Sequence, residues 1–205
     1  MTELVSGISL LEAISVAFAL AYLVLAIRQN PLCWAASFMS AVLAVIVFAD
    51  RQLFMQSALW AFFAAMAIYG WLKWTRSRIG AGDTTAQVRT WPLRLHIAAL
   101  AGICIVSGAF AWALTYTSQV MPLIDSFVTV ASIVTTWMVA HKLLENWIYW
   151  FVIDCISIYL FLSQAVWLYA GLYVIYLVLV VIGYRQWRAD RRRHQSVSEL
   201  LVEPS

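Results

Sequence analysis

Seven long apolar runs, separated by short polar breaks, constrain this chain more than any other feature. They read Val5–Ile27, Leu32–Ala49, Leu53–Leu72, Leu95–Leu114, Met121–Ala140, Trp147–Leu162 and Trp167–Tyr184. A helix crosses the roughly 30 Å hydrocarbon layer of a bilayer with about 20 such residues, and shorter ones manage with anchoring ends. Inside that layer no water can satisfy a backbone amide, so each run must be helical. Charge agrees: only 11% of the 205 residues are charged and 64% are apolar, against about a quarter charged in soluble domains. The expected fold is an all-α membrane protein of seven transmembrane helices.

The basic residues orient the spans. Arg28, Lys73, Arg76, Arg78, Arg89, Arg94, Lys142, Arg185, Arg188, Arg191, Arg192 and Arg193 fall on one side, and Arg51 alone on the other. Positive charge stays cytoplasmic, so the N-terminus is expected outside and the C-terminus inside a cell (inner) membrane. Glu3 and Glu12 sit where a signal peptide would be positive, so no cleaved leader is expected. The Arg188–Arg193 cluster reads as a topology anchor near anionic lipid rather than a nucleic-acid patch. Beyond Trp187 the chain is charged and lacks an apolar pattern, which predicts a disordered tail. The connection Thr75–Arg94, with Gly80, Gly82, Asp83 and Trp91-Pro92, is expected to be the one long loop.

An internal repeat is legible. Asn30-x-x-x-Trp34 and Asn146-x-x-x-Trp150 open the second and sixth runs; Gly70-x-x-x-Trp74 and Gly183-x-x-x-Trp187 close the third and seventh. The two matches differ in offset, 116 and 113 residues, which calls for a three-residue shortening in the second copy. The expected organisation is residues 1–74 as the first three-helix repeat, 75–120 as a cytoplasmic loop plus linker helix, 121–187 as the second repeat and 188–205 as a tail. One linker crossing makes the two repeats parallel, in a 3+1+3 arrangement. Repeats of that kind place a substrate site between the halves near the midplane.

Polar residues inside the slab are too unfavourable to be decoration. The fifth run carries Asp125, Thr129, Ser132 and Thr136 on one helical face; the sixth carries Asn146, Trp150, Asp154 and Ser157. Tyr169, Tyr173 and Tyr176 follow on the seventh, and Gln56, Trp60 and Phe63 on the third. Carboxylate, hydroxyls, amides and flat rings together suit a cationic solute that contains a ring. Asp154, midway along the shortest run, would be unfavourable by roughly 2.5–3.5 kcal/mol without compensation. A structural hydrogen bond, a proton relay and a substrate cation are the three candidates to offset it. Glu12 raises the same question, and a structural partner is expected for it.

Several function classes have no support. There is no phosphate-cradling loop with Lys-Ser/Thr, no H-E-x-x-H and no G-x-S-x-G. Cys33, Cys104 and Cys155 lie in apolar runs without metal-ligand spacing, as packing residues do. His96, His141 and His194 are scattered. No cofactor and no nucleic-acid partner are expected. The competing readings are a solute facilitator, a membrane enzyme working through Asp154 and Asp125, and a structural or sensory subunit; the repeat and the converging stripes favour the first.

The segment His141-Lys142-Leu-Leu-Glu145-Asn146-Trp147-Ile-Tyr-Trp150-Phe-Val-Ile-Asp154, with Asp125-Ser126 and Ser132-Ile133 before it, resembles the PnuC family of vitamin transporters. Leu11-Glu12-Ala13 and Tyr69-Gly70-Trp71 look like further family features. The resemblance implies a 3+1+3 fold similar to SWEET sugar transporters. It also implies facilitated uptake of nicotinamide riboside, or of thiamine in a sister group, with the solute trapped by a cytoplasmic kinase. It places Trp147 and Trp150 at the substrate, with Asn146 beside them. The partners expected are a small-molecule vitamin, the lipid bilayer and a further copy of the chain in a homo-oligomer.

Overall fold

The computed structural model describes residues 10–50, 54–80, 87–114, 121–163 and 167–202. Within them run seven helices: α1 (Leu10–Ile27), α2 (Leu32–Asp50), α3 (Phe54–Gly80), α4 (Leu93–Leu114), α5 (Pro122–Ala140), α6 (Asn146–Ser163) and α7 (Trp167–Val202). No strand occurs among the described residues. Four stretches, Leu93–Ala113, Pro122–Ala140, Asn146–Ser163 and Ala170–Ser196, are long and apolar enough to span a bilayer, and Ala13–Ile27 and Leu32–Val47 are shorter apolar helices. On α4, Ile97, Ile105, Phe110 and Trp112 are 53–72% exposed. Such a surface is stable against lipid and not against water.

The chain divides into two compact units, residues 1–86 and 87–205. In the first, α1 packs on α2 and α2 on α3. Ser15 and Ser40 clasp α1 to α2, each hydroxyl donating to the other residue's carbonyl at 3.1 and 3.0 Å. Trp34 of α2 lies against Gly70 of α3, where any Cβ would collide with the indole. The Trp74 ring meets Trp34 edge-on at 5.6 Å between centroids.

In the second unit α4 packs on α5, α5 on α6 and α6 on α7. The expected linker helix, α4, thus has its packing partner in α5. Pro122 starts α5 in its first turn, where its missing N–H has no helical acceptor anyway, and Asp125 complements the same helix end. Ahead of α4, Arg89 pairs through its backbone with the α5–α6 turn: its N–H donates to Lys142 at 3.0 Å and its carbonyl accepts from Leu144 at 2.9 Å.

The two units share a register that corrects the one read from the asparagines. Trp147 lies against Gly183 and meets Trp187 edge-on at 5.4 Å, as Trp34 does with Gly70 and Trp74. The counterparts 34 and 147, 70 and 183, and 74 and 187 are all 113 positions apart. The turns agree: Gln29 and Lys142 both have φ 52°. Each is followed by an N–H that reaches back to the carbonyl five residues earlier, Asn30 to Leu25 at 2.9 Å and Leu143 to Met138 at 3.1 Å. This is the left-handed C-terminal cap that closes many helices, here with side chains in place of glycine. Trp34 therefore matches Trp147 and not Trp150, and no three-residue shortening is needed.

Two other expectations are corrected. The disordered tail is helix as far as Val202, because no Gly or Pro interrupts the chain between Gly183 and Pro204. Bonds along the helix such as Gln186 to Asp190 at 3.3 Å hold it. The long loop after Thr75 is also shorter than expected, since α3 runs on to Gly80.

Candidate substrate site

Helix α6 carries the polar stripe into the second unit. Asn146, Asp154 and Ser157 are 0, 3 and 2% exposed, and successive members lie near one line down the helix. Eleven residues at 1.5 Å each spread them over about 16 Å. Asn146 uses its amide nitrogen to hold the Leu143 carbonyl of the turn before it. Its side-chain oxygen, buried, has no partner, and neither has the buried Ser157 hydroxyl. The Asp154 carboxylate makes no hydrogen bond or ion pair among the described residues. It lies within electrostatic reach of the Tyr176 hydroxyl on α7. Of the three ways to offset Asp154, a structural hydrogen bond is the one this geometry does not supply.

Neighbouring helices extend the stripe. Trp150 rests, half-buried, on a cluster that includes Val130 and Ala131 of α5 and Ile153 of α6, and Thr129 and Ser132 flank those two residues on α5. Those two hydroxyls make no hydrogen bond among the described residues. Thr136, expected on the same stripe, turns back instead and donates to the Ser132 carbonyl at 2.8 Å. On α7, the Tyr173 ring lies 5.3 Å from that of Tyr176 and 5.2 Å from that of Phe161. Tyr173 and Tyr176 are thus in ring contact on α7, the helix that packs on α6, and Asp154 is within electrostatic reach of the second.

Trp147 differs from Trp150. It is 2% exposed, wedged on Gly183 and capped by Trp187, and its indole N–H has no partner. Its counterpart Trp34 is buried in the same way with the same unpartnered N–H. The structure gives Trp147 a helix-packing role that Trp150 lacks. In the first unit Trp60 lies 5.7 Å from Phe63 on α3. Gln56 belongs to α3 but its side chain lies outside the described residues, as do those of Glu12 and Tyr169.

Sequence reasoning missed one polar cluster. Glu145 accepts the Trp91 N–H at 3.3 Å and lies 4.0 Å from the His96 ring, which contacts the Tyr149 hydroxyl at 3.0 Å. It ties the start of α4 to the start of α6. Glu145 stood inside the recognised motif, but nothing in the linear sequence pairs it with a histidine 49 positions earlier.

Comparison with known proteins agrees with the fold. The chain is 28% identical over 177 residues to the nicotinamide riboside transporter PnuC of Escherichia coli strain K12, covering 74% of this chain and 73% of that one. It is 30% identical over 131 residues to the riboflavin/roseoflavin transporter RibM of Streptomyces davaonensis, covering 63% and 62%. The crystal structure of the vitamin B3 transporter PnuC superimposes with a TM-score of 0.71 at 18% identity, over 90% of this chain and 83% of that one. The family model described as nicotinamide mononucleotide transporter matches residues 9–189. With the family match spanning nearly all of its helices, this chain belongs to the nicotinamide mononucleotide transporter family of B-vitamin membrane transporters.

Proposed function

We propose that the protein mediates facilitated uptake of nicotinamide riboside across the cell (inner) membrane, the solute being trapped afterwards by cytoplasmic phosphorylation. One observation carries this reading: the buried face of α6 on which Asn146, Asp154 and Ser157 all hold unpartnered oxygen. Buried polar groups are ordinarily hydrogen-bonded, and leaving each one unpaired is unfavourable by about 1–3 kcal/mol. A solute with a cationic ring and hydroxyls offers what they lack. The pyridinium charge would face Asp154, Trp150 would stack on the ring, and the ribose hydroxyls would meet Thr129, Ser132 and Tyr173. Asn146, eight residues or about 12 Å along α6 from Asp154, would meet the solute at another point of its path. Trp147 packs α6 on Gly183 of α7 beside this face, and Gln56 and Trp60 of α3 are proposed as solute contacts of the first repeat. A 3+1+3 arrangement with the N-terminus outside completes the reading.

The same stripe argues against the mononucleotide as cargo. No Lys or Arg lies within α5, α6 or the apolar part of α7 up to Tyr184, so a phosphate there would be buried beside Asp154 without a counter-charge. The relative that carries riboflavin supports a second reading, since a neutral flat ring could use Trp150 without Asp154.

Calorimetric titration of the purified protein with nicotinamide riboside, its mononucleotide, thiamine and riboflavin tests the choice. Saturable binding of the riboside, well above that of the mononucleotide, is expected. Riboflavin binding without riboside binding would overturn it in favour of the second reading, and thiamine binding alone would move the assignment to the other cation.

A further inference from the structure

Away from the α6 stripe, a cavity of about 480 Å³ opens at the α5–α6 turn. On one side it is lined by Arg188, Arg191 and Arg192 of α7, on the other by Thr90, Glu145 and Ile148. The arginines sit at i, i+3 and i+4, so all three point to one side of α7. Like charges so spaced repel one another weakly, and an anion between them would turn that repulsion into attraction. No carboxylate lies within ion-pair distance of any of the three among the described residues. Of Glu145, Oε1 is engaged by the Trp91 backbone N–H and lies beside the His96 ring while Oε2 is buried without a hydrogen bond, so three positive charges face one carboxylate. The straight continuation of α7 past Trp187, where a disordered tail was expected, is what carries these guanidinium groups to the cavity.

We propose that this cavity binds a phosphate group. Guanidinium forks match phosphate oxygens bidentately, and the Thr90 and Tyr184 hydroxyls on the same lining add neutral donors. The phosphate has two possible sources, an anionic phospholipid headgroup and a water-soluble phosphate. Ile148 in the lining is 49% exposed, and Val152, one turn further along α6, is 46% exposed. An acyl chain can follow that apolar strip out of the cavity, which favours the lipid. This site is separate from the proposed vitamin site and does not depend on it.

The test is thermal unfolding of the detergent-solubilised full chain with phosphatidylglycerol, with phosphatidylcholine, and with inorganic phosphate against chloride at equal ionic strength. Phosphatidylglycerol is expected to raise the Tm more than phosphatidylcholine does. Arg188→Gln/Arg191→Gln/Arg192→Gln should abolish the difference, each single change weakening apparent affinity about fivefold. A rise with inorganic phosphate alone, lost in the triple variant, keeps the phosphate site and assigns it to the soluble source. Equal responses to the two lipids with none to phosphate, or a response that survives in the variants, overturns the proposal. The single variants keep the experiment readable should the triple variant not fold.

Discussion

Gly183 leaves the gap that the Trp147 indole fills: a Cβ built there would stand 2.5 Å from two of its ring carbons. Gly70 stands in the same relation to Trp34. In each unit a helix pair is thus keyed by one missing side chain, and a second tryptophan closes the ring from its edge. Close helix approach over small residues is the usual source of stability where lipid removes the hydrophobic driving force.

Gly183→Ala should therefore destabilise the protein by about 1–3 kcal/mol, the usual penalty for overpacking. Gly70→Ala should do the same. Thermal unfolding in detergent measures it, and shrinking the ring with Trp147→Phe should restore part of the loss in Gly183→Ala. An unchanged Tm in both glycine variants would mean that the indole moves aside without penalty.

The two tryptophans of α6 should separate by readout. Trp147→Ala empties a buried site and is expected to lower stability by about 3–5 kcal/mol. Trp150→Ala removes a half-buried ring and should leave folding largely intact. Its expected effect is on riboside affinity, a loss of about 1–3 kcal/mol of stacking or roughly 5- to 150-fold. Affinity unchanged in folded Trp150→Ala would place the ring contact elsewhere.

Asp154→Asn keeps shape and hydrogen-bonding capacity but removes the charge. Binding of the cationic riboside should weaken, while that of riboflavin, if any, should hold or improve. Paired titrations decide it. Equal effects on cation and neutral ring would reduce Asp154 to a hydrogen-bonding group.

Uptake into liposomes should run down the solute gradient and be indifferent to ionophores, since no nucleotide-binding motif is present in the sequence. Accumulation that collapses when a proton or sodium gradient is dissipated would refute this and return Asp154 to the proton-relay reading.

A reporter at Ser205 should be cytoplasmic and one at Met1 external, following the bias of twelve basic residues to one. Finding both termini on one side would contradict an odd number of crossings.

What the sequence determined alone was whatever depends on local composition. Apolar runs must become helices because lipid offers their amides no alternative, so seven elements could be read with ends within a few residues wherever polar breaks were sharp. The α6 stripe was legible for the same reason, since 3.6-residue spacing puts Asn146, Asp154 and Ser157 on one face whatever surrounds them. Contacts between helices were not. Trp34 and Trp147 are told apart from Trp150 only by a glycine 36 positions further on (70 and 183), and linear spacing gave the asparagines equal standing. The extension of α7 escaped notice because a charged helix carries no apolar period, although it lacks any residue that would break it. Glu145, His96 and Tyr149 meet beside the place where Arg89 is joined to the α5–α6 turn by backbone hydrogen bonds, which any residue can make and no side-chain pattern records.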